Sequence, residues 1–134
     1  MGTVIRPTVS NKNRYQISKH RYYELKHFCL QYPEWKDLYL SRSLYSRSFN
    51  EIKSRMYDST ADKAIQQAEL AHNMAIIENT AIDTDPDLSI YIFKAVTEGV
   101  SYPYLQTVMD IPCGRDMFYE RYRRFFWLLD QVRN

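Results

Sequence analysis

The sequence predicts an all-α protein, and three of its features lead to that prediction. Glycine occurs only three times in 134 residues, which leaves few positions for the tight hairpins of an all-β fold. Residues 61–82 contain neither glycine nor proline. Near the C-terminus, apolar side chains recur at helical spacing, at Phe118, Tyr122, Phe125, Phe126 and Leu129. A chain of this length is expected to form one compact domain.

Residues 1–57 are predicted to form a basic, aromatic-rich arm followed by helices. Residues 1–14 mix Pro, Ser, Asn and Thr with basic residues and show no period, so we expect a flexible arm. A helix is predicted over 15–32. Its apolar face is expected to consist of Ile17, Tyr22, Leu25, Phe28 and Cys29. Pro33 is expected in the first turn of a second helix, and the Ser/Arg-rich segment 41–49 is predicted to be a loop or a frayed helix.

Residues 58–134 are predicted to contain a long helix and then a helix-turn-helix unit. Asp58 or Ser59 is expected to cap the long helix. Its apolar stripe is predicted to be Ala61, Ala64, Ile65, Ala68, Ala71, Ala75 and Ile82. Small side chains permit close approach, so this stripe is expected to pack tightly on another helix, from the same chain or a second one. Residues 85–86 carry an N-cap aspartate and a proline that start the next helix, which Gly99 ends.

The helix-turn-helix is predicted over the last third of the chain. Ser101 can cap a short helix, and Ile111 has the character of the apolar residue that is buried between the two helices of such a motif. Gly114 then opens a last amphipathic helix over 115–132.

The side of this last helix that faces away from its apolar stripe is a predicted DNA-binding surface. Arg115, Tyr119 and Arg123 stand four residues apart and therefore align on one side. Arginine can bind guanine through two hydrogen bonds, and tyrosine can reach a phosphate. The predicted DNA-binding residues are Arg115, Asp116, Tyr119, Arg123, Arg124, Tyr102 and Tyr104. Alternatively, this is a terminal amphipathic helix with a solvated charged face.

The charge distribution also favours a polyanionic partner. Residues 1–57 carry 11 Lys+Arg against 4 Asp+Glu, residues 58–110 carry 2 against 9, and residues 111–134 carry 5 against 3. Basic segments at both ends with an acidic middle suit a polyanion such as double-stranded DNA. Alternatively, the oppositely charged parts attract one another during folding or pairing.

Two segments resemble the RinA/ArpU-type regulators of phages and prophages in Gram-positive bacteria. The first is residues 58–82, which open on Asp-Ser-Thr-Ala and contain the pair Ile77-Glu78. The second is residues 100–129, where the resemblance is carried by Leu105, Ile111, Pro112, Arg115, Asp116, Phe118, Tyr119, Arg121 and Arg124. The resemblance implies a sequence-specific transcription regulator with a helix-turn-helix like the promoter-reading part of a sigma factor, and host RNA polymerase as a further partner. Gly114 departs from the capping Ser or Thr expected there, and the resemblance does not extend to residues 1–57.

The sequence offers no support for catalysis, a cofactor or a metal. His20, His27 and His72 lack metal-ligand spacing, and no Gly-rich phosphate loop is present. Cys29 and Cys113 stand far apart without a CxxC pattern and are expected to be reduced thiols. No apolar run approaches the roughly 18–20 residues of a membrane span, and the N-terminus has no hydrophobic signal core. We therefore expect a non-enzymatic protein of the bacterial cytoplasm.

Two other kinds of function remain open, together with the oligomeric state. One is a phage-encoded protein that inhibits a host enzyme through protein–protein contacts. The other is a DNA-recognition subunit similar to the small subunit of a packaging terminase. A homodimer is expected, because one helix-turn-helix reads only a few base pairs. The dimer is predicted to be held by the long helix, residues 61–82, or by the aromatic N-terminal third.

Overall fold

The computed structural model describes residues 14–49 and 57–134, and every regular element within them is a helix. The all-α prediction is thus confirmed for this part of the chain. The predicted flexible arm lies, apart from Arg14, outside the described residues. The helices are α1 (Lys19–Leu30), α2 (Tyr32–Phe49), α3 (Tyr57–Thr84), α4 (Ser89–Glu98), α5 (Tyr102–Val108) and α6 (Arg115–Val132).

The first two helices follow each other with a break at Gln31. Helix α1 begins later than predicted because Ser18 adopts an extended conformation and its hydroxyl accepts a hydrogen bond from the Arg21 N–H at 3.2 Å. Helix α2 has Pro33 in its first turn, as predicted, and continues to Phe49. The predicted loop over 41–49 is therefore wrong, and the segment is helical, as the other alternative had it. Helix α2 packs along α3.

Helix α3 buries a different face from the predicted one. Its buried residues are Met74, Ile77, Thr80, Ala81 and Thr84. The predicted stripe lies roughly on the opposite side at about 100° per residue, and Ile65 and Ile82 are 58% and 50% exposed. Helix α3 is already helical at Tyr57, so neither Asp58 nor Ser59 is its N-cap. The face with the larger Met74 and Ile77 side chains is the one that α4 and α6 cover.

Helix α6 lies at the centre of the fold, packed on α1, α3 and α4. The predicted stripe of α6 is confirmed, since Phe125, Phe126 and Leu129 are fully buried and Phe118 and Tyr122 nearly so. From α1, the ring of Tyr22 meets the ring of Phe126 edge-on at 5.1 Å between centroids. Aromatic packing of this kind stabilises beyond simple burial. The central position of α6 determines which of its residues reach solvent.

The connection between α3 and α4 is organised by Asp85. Its carboxylate accepts hydrogen bonds from the N–H groups of Asp87 and Leu88 at 3.0 and 3.3 Å. Asp85 thus caps a turn, while α4 itself begins at Ser89 rather than at Pro86. At the other end of α4, Gly99 has φ of 71° and its N–H donates to the Ala95 carbonyl at 2.9 Å. The predicted glycine at the end of this helix is confirmed, because only glycine adopts this left-handed conformation without strain.

Candidate nucleic-acid interface

Helices α5 and α6 are joined by residues 109–114, and three contacts fix this connection, one of which joins α5 directly to α6. The Ile111 side chain is buried, as predicted, and its N–H donates to the Leu105 carbonyl at 3.1 Å. The Tyr102 hydroxyl donates to the Cys113 carbonyl at 2.7 Å. The Tyr102 ring also lies 5.8 Å from the Phe118 ring. The connection is longer than the turn of about 3–4 residues in the common motif, so the helix-turn-helix assignment stays a prediction.

Tyr102 does not lie on the surface for which it was predicted. Its side chain is 7% exposed, and its hydroxyl is engaged by a backbone carbonyl. It supports the surface from beneath, because its ring lies 6.4 Å from the ring of Tyr119. Tyr104, on the same helix, is 37% exposed and can be reached from solvent.

Ion pairs occupy three of the charged residues on α6. The Arg121 guanidinium donates to Asp85 at 2.8 Å and also binds the neighbouring Glu120. Asp130 accepts from Arg21 of α1 at 2.6 Å. Arg121, although part of the resemblance described above, is therefore a structural residue that ties α6 to the α3–α4 connection.

The environment of Asp85 favours its charged form. Partial burial opposes ionisation of the carboxyl group. The hydrogen bonds from Arg121 and from the N–H groups of Asp87 and Leu88 outweigh that effect, so the pKa of Asp85 lies below its usual value. Asp85 is therefore a carboxylate at neutral pH, and its pairing with Arg121 is maintained.

The charged residues of α6 that remain available are Arg115, Asp116, Arg123 and Arg124. None of the three arginines forms an ion pair or a hydrogen bond within residues 14–49 and 57–134. The exposed charge of α6 is therefore more positive than its sequence indicates. When the residues in ion pairs are left out of the count, three arginines and one aspartate of α6 remain.

The three arginines do not share one face. Arg115, Tyr119 and Arg123 follow one flank of α6, and the Arg115 Cζ atom lies 5.6 Å from the centroid of the Tyr119 ring. Arg124 points about 180° away from Arg115 at the helical repeat of about 100° per residue. We call the Arg115–Tyr119–Arg123 flank the recognition flank. The predicted set thus divides into this flank, Asp116 beside it, and Arg124 on the other side.

The N-terminus of α6 is open. Gly114 is its N-cap in an extended conformation, with φ of −77° and ψ of 171°, and no side chain caps the first turn. The N–H groups of that turn can therefore bind an anion, as helix N-termini bind phosphate. A Cβ atom at Gly114 would meet nothing within 4 Å, so packing does not explain why glycine replaces a capping residue.

Trp127 of α6 and Tyr15, which precedes α1, are half-buried and contact each other, and the sequence prediction did not include them. Their ring centroids are 5.6 Å apart. Trp127 follows Arg123 by four residues and so occupies the adjacent turn, which could have placed it near the recognition flank. The contact with Tyr15 could not have been anticipated, because the two residues are far apart in the sequence.

No helix among the described residues is long and apolar enough to cross a membrane. The same part of the chain contains no group of three or more His, Cys, Asp or Glu side chains that could hold a metal ion. Cys29 and Cys113 are free thiols, and burial raises the pKa of both. Comparisons with protein-family models, curated proteins and solved structures give no match to this chain.

Proposed function

We propose that the protein binds double-stranded DNA through the recognition flank of α6 and acts as a sequence-specific transcription regulator. The observation that carries the proposal is the selective pairing of charges on α6. Glu120, Arg121 and Asp130 are neutralised by ion pairs, whereas Arg115, Arg123 and Arg124 are not. A positively charged helix side is what binding to phosphates and base edges requires.

The N-terminal half of α6 would enter the major groove. Arg115 is exposed at the first turn, where a recognition helix contacts base edges, and arginine binds guanine O6 and N7. Asp116 beside it can accept a hydrogen bond from a cytosine amino group. The Tyr119 ring is held by its contacts with Tyr102 and Phe118, which leaves it pre-positioned for a phosphate or a sugar.

The regulatory role is inferred from the resemblance of residues 58–82 and 100–129 to the RinA/ArpU-type regulators. In that role, the DNA would be promoter DNA of phage or prophage genes, and host RNA polymerase would be a further partner.

We further propose that the protein acts as a homodimer through the outer face of α3. The aromatic N-terminal third is a poor candidate for the interface, since Tyr22, Phe28, Tyr32 and Trp35 are buried in the protein's own core. Most of the small-residue stripe on α3 is exposed, with Ile65 58% exposed, whereas Ala71 and Ala75 are half-buried. A second copy would bury it and would present two recognition flanks to two half-sites.

The same exposed stripe also favours a second candidate function, binding to a different protein, as in an inhibitor of a host enzyme. Salt dependence separates the two. DNA affinity falls steeply with rising salt because counterions are released from the phosphates. Binding through the apolar α3 face would not show this dependence. A small-terminase-like subunit, the other DNA-binding alternative, would form a large ring in solution.

The deciding experiment is selection of bound sequences from a random duplex library. Wild type is expected to enrich one sequence family, and Arg115→Ala should lose the preference at one base position of it. Lys36→Ala removes an exposed positive charge from α2 and serves as the matched control, with unchanged selection. No enrichment by the wild type, together with no binding of the pool, would overturn the proposal.

A further inference from the structure

Arg14 is linked to α6 through two aromatic rings in tilted contact, those of Tyr15 and the half-buried Trp127, which we call the Tyr15–Trp127 stack. The Tyr15 ring lies 5.6 Å from the Trp127 ring at an angle of 56°. The Arg14 Cζ atom lies 5.6 Å from the centroid of the Tyr15 ring. The start of the described chain, remote in sequence from the recognition flank, is thereby held on the same helix.

The charges around this stack are positive. Arg123 and Arg124 lie one turn before Trp127 on α6, and the Arg14 guanidinium lies against the Tyr15 ring. The carboxylates of the same part of α6, Glu120 and Asp130, are engaged by Arg121 and Arg21. Asp116, the one carboxylate of α6 outside these ion pairs, lies eleven residues before Trp127, about 16.5 Å away along the helix axis at about 1.5 Å per residue.

The position of the stack along α6 indicates what it would meet on DNA. Trp127 follows Arg115 by a distance of about 18 Å, at about 1.5 Å per residue. The major groove is only about 12 Å wide. A group that far from the inserted end of the helix would lie beyond the groove edge, beside the sugar–phosphate backbone.

We propose that Arg14, positioned by the Tyr15–Trp127 stack and accompanied by Arg124, forms a phosphate-binding site that flanks the recognition groove. This inference rests on the proposed DNA-binding function and adds to it a second contact that carries no sequence information. The stack fixes Arg14 so that binding costs less side-chain entropy.

The test is the salt dependence of binding to a fluorescently labelled duplex of random sequence. The logarithm of affinity falls with the logarithm of salt concentration by about 0.9 for each neutralised phosphate. Arg14→Ala should reduce that slope by about 0.9 over a series from about 50 to 200 mM salt. Tyr15→Ala should reduce the slope similarly although it removes no charge, and Tyr15→Phe, which keeps the ring, should restore it. Lys36→Ala is the charge-matched control and should leave the slope unchanged.

The outcomes separate this inference from the proposed function. If the wild type binds duplex DNA and Arg115→Ala alters its selected sequence, but Arg14→Ala and Lys36→Ala have equal slopes, only the flanking site is wrong. If Tyr15→Ala and Tyr15→Phe both retain the wild-type slope while Arg14→Ala lowers it, the positioning role of the stack is wrong. If the wild type binds no duplex at any salt concentration, the proposed function fails and the inference with it.

Discussion

The side-chain hydroxyl groups of Tyr22 on α1 and Tyr122 on α6 lie 3.0 Å apart inside the helical core and form a hydrogen bond. The two residues come from the predicted N-terminal and C-terminal parts of the chain, so this bond joins both parts within one core. Burial raises the pKa of both hydroxyls, which keeps them protonated at neutral pH. A buried polar pair of this kind stabilises only while both partners are present.

Tyr22→Phe is expected to lower the free energy of unfolding by about 1–3 kcal/mol, because it removes the hydroxyl to which buried Tyr122 is hydrogen-bonded. The double variant Tyr22→Phe/Tyr122→Phe should be less destabilised than the sum of the two single changes. Urea unfolding of the wild type, the two single variants and the double variant measures the coupling free energy between the two hydroxyl groups. Tyr104→Phe, at an exposed position, is the control and should be neutral. Additive single changes would show that the hydroxyls do not interact.

Stability is expected to fall as the pH rises above about 10. Tyrosine in the unfolded chain has a pKa of about 10, and burial holds the folded-state pKa of Tyr22 and Tyr122 above that value. The unfolded state therefore loses protons that the folded state keeps, so alkaline pH favours unfolding. Urea unfolding at about pH 8 and about pH 11 checks this, with Tyr22→Phe/Tyr122→Phe expected to respond less steeply. Equal stability at the two pH values would contradict the prediction.

Phe125→Ala is expected to destabilise the protein by about 3–5 kcal/mol through the cavity that it leaves. The side chain is fully buried in the stripe of α6. Met117→Ala, on the same helix but 44% exposed, is the matched control and should shift the melting temperature far less. Thermal unfolding by circular dichroism measures both. An unchanged melting temperature for Phe125→Ala would mean that the buried face of α6 is wrongly assigned.

Arg115→Ala and Arg124→Ala are expected to impair DNA binding in different ways. Arg115 at the N-terminal turn should contact a base edge, so its loss should cost about 1–3 kcal/mol and relax one position of the site. Arg124 lies on the other side of α6, so its loss should weaken all sequences alike by removing a phosphate contact. Titration of selected and random duplexes separates the two effects. Two variants that bind both duplexes like the wild type would exclude α6 as the DNA-reading helix.

Sedimentation equilibrium at micromolar concentration is expected to give twice the monomer mass of 16.1 kDa. Ile65→Asp should shift the protein towards the monomer, because it places a charge in the proposed α3 interface. Ile90→Asp changes an isoleucine that is 61% exposed on α4 and is the matched control, with unchanged association. A mass near that of the monomer at every concentration would eliminate the homodimer.

The helix boundaries and buried faces that arise from neighbouring residues could be predicted from the sequence. Helix α6 spans 115–132 as predicted, and its buried stripe is the predicted one, because Gly114 precedes a segment that has no glycine or proline and whose apolar residues follow a 3.6-residue period. Gly99 was equally recognisable, since glycine adopts the positive φ of a helix C-terminus without strain.

The face that each helix buries, and the partner that each charged side chain binds, depend instead on tertiary packing. Helix α3 carries apolar side chains on two sides, and packing by α4 and α6 selected Met74 and Ile77 over the stripe that includes Ile65. Arg121 is withdrawn from solvent by Asp85, thirty-six positions earlier in the chain, and Arg14 is brought to α6 by the contact of Tyr15 with Trp127. These outcomes depend on contacts between segments that are far apart in the sequence. Neither the local hydrophobic period nor the helix propensity of a segment predicts such contacts.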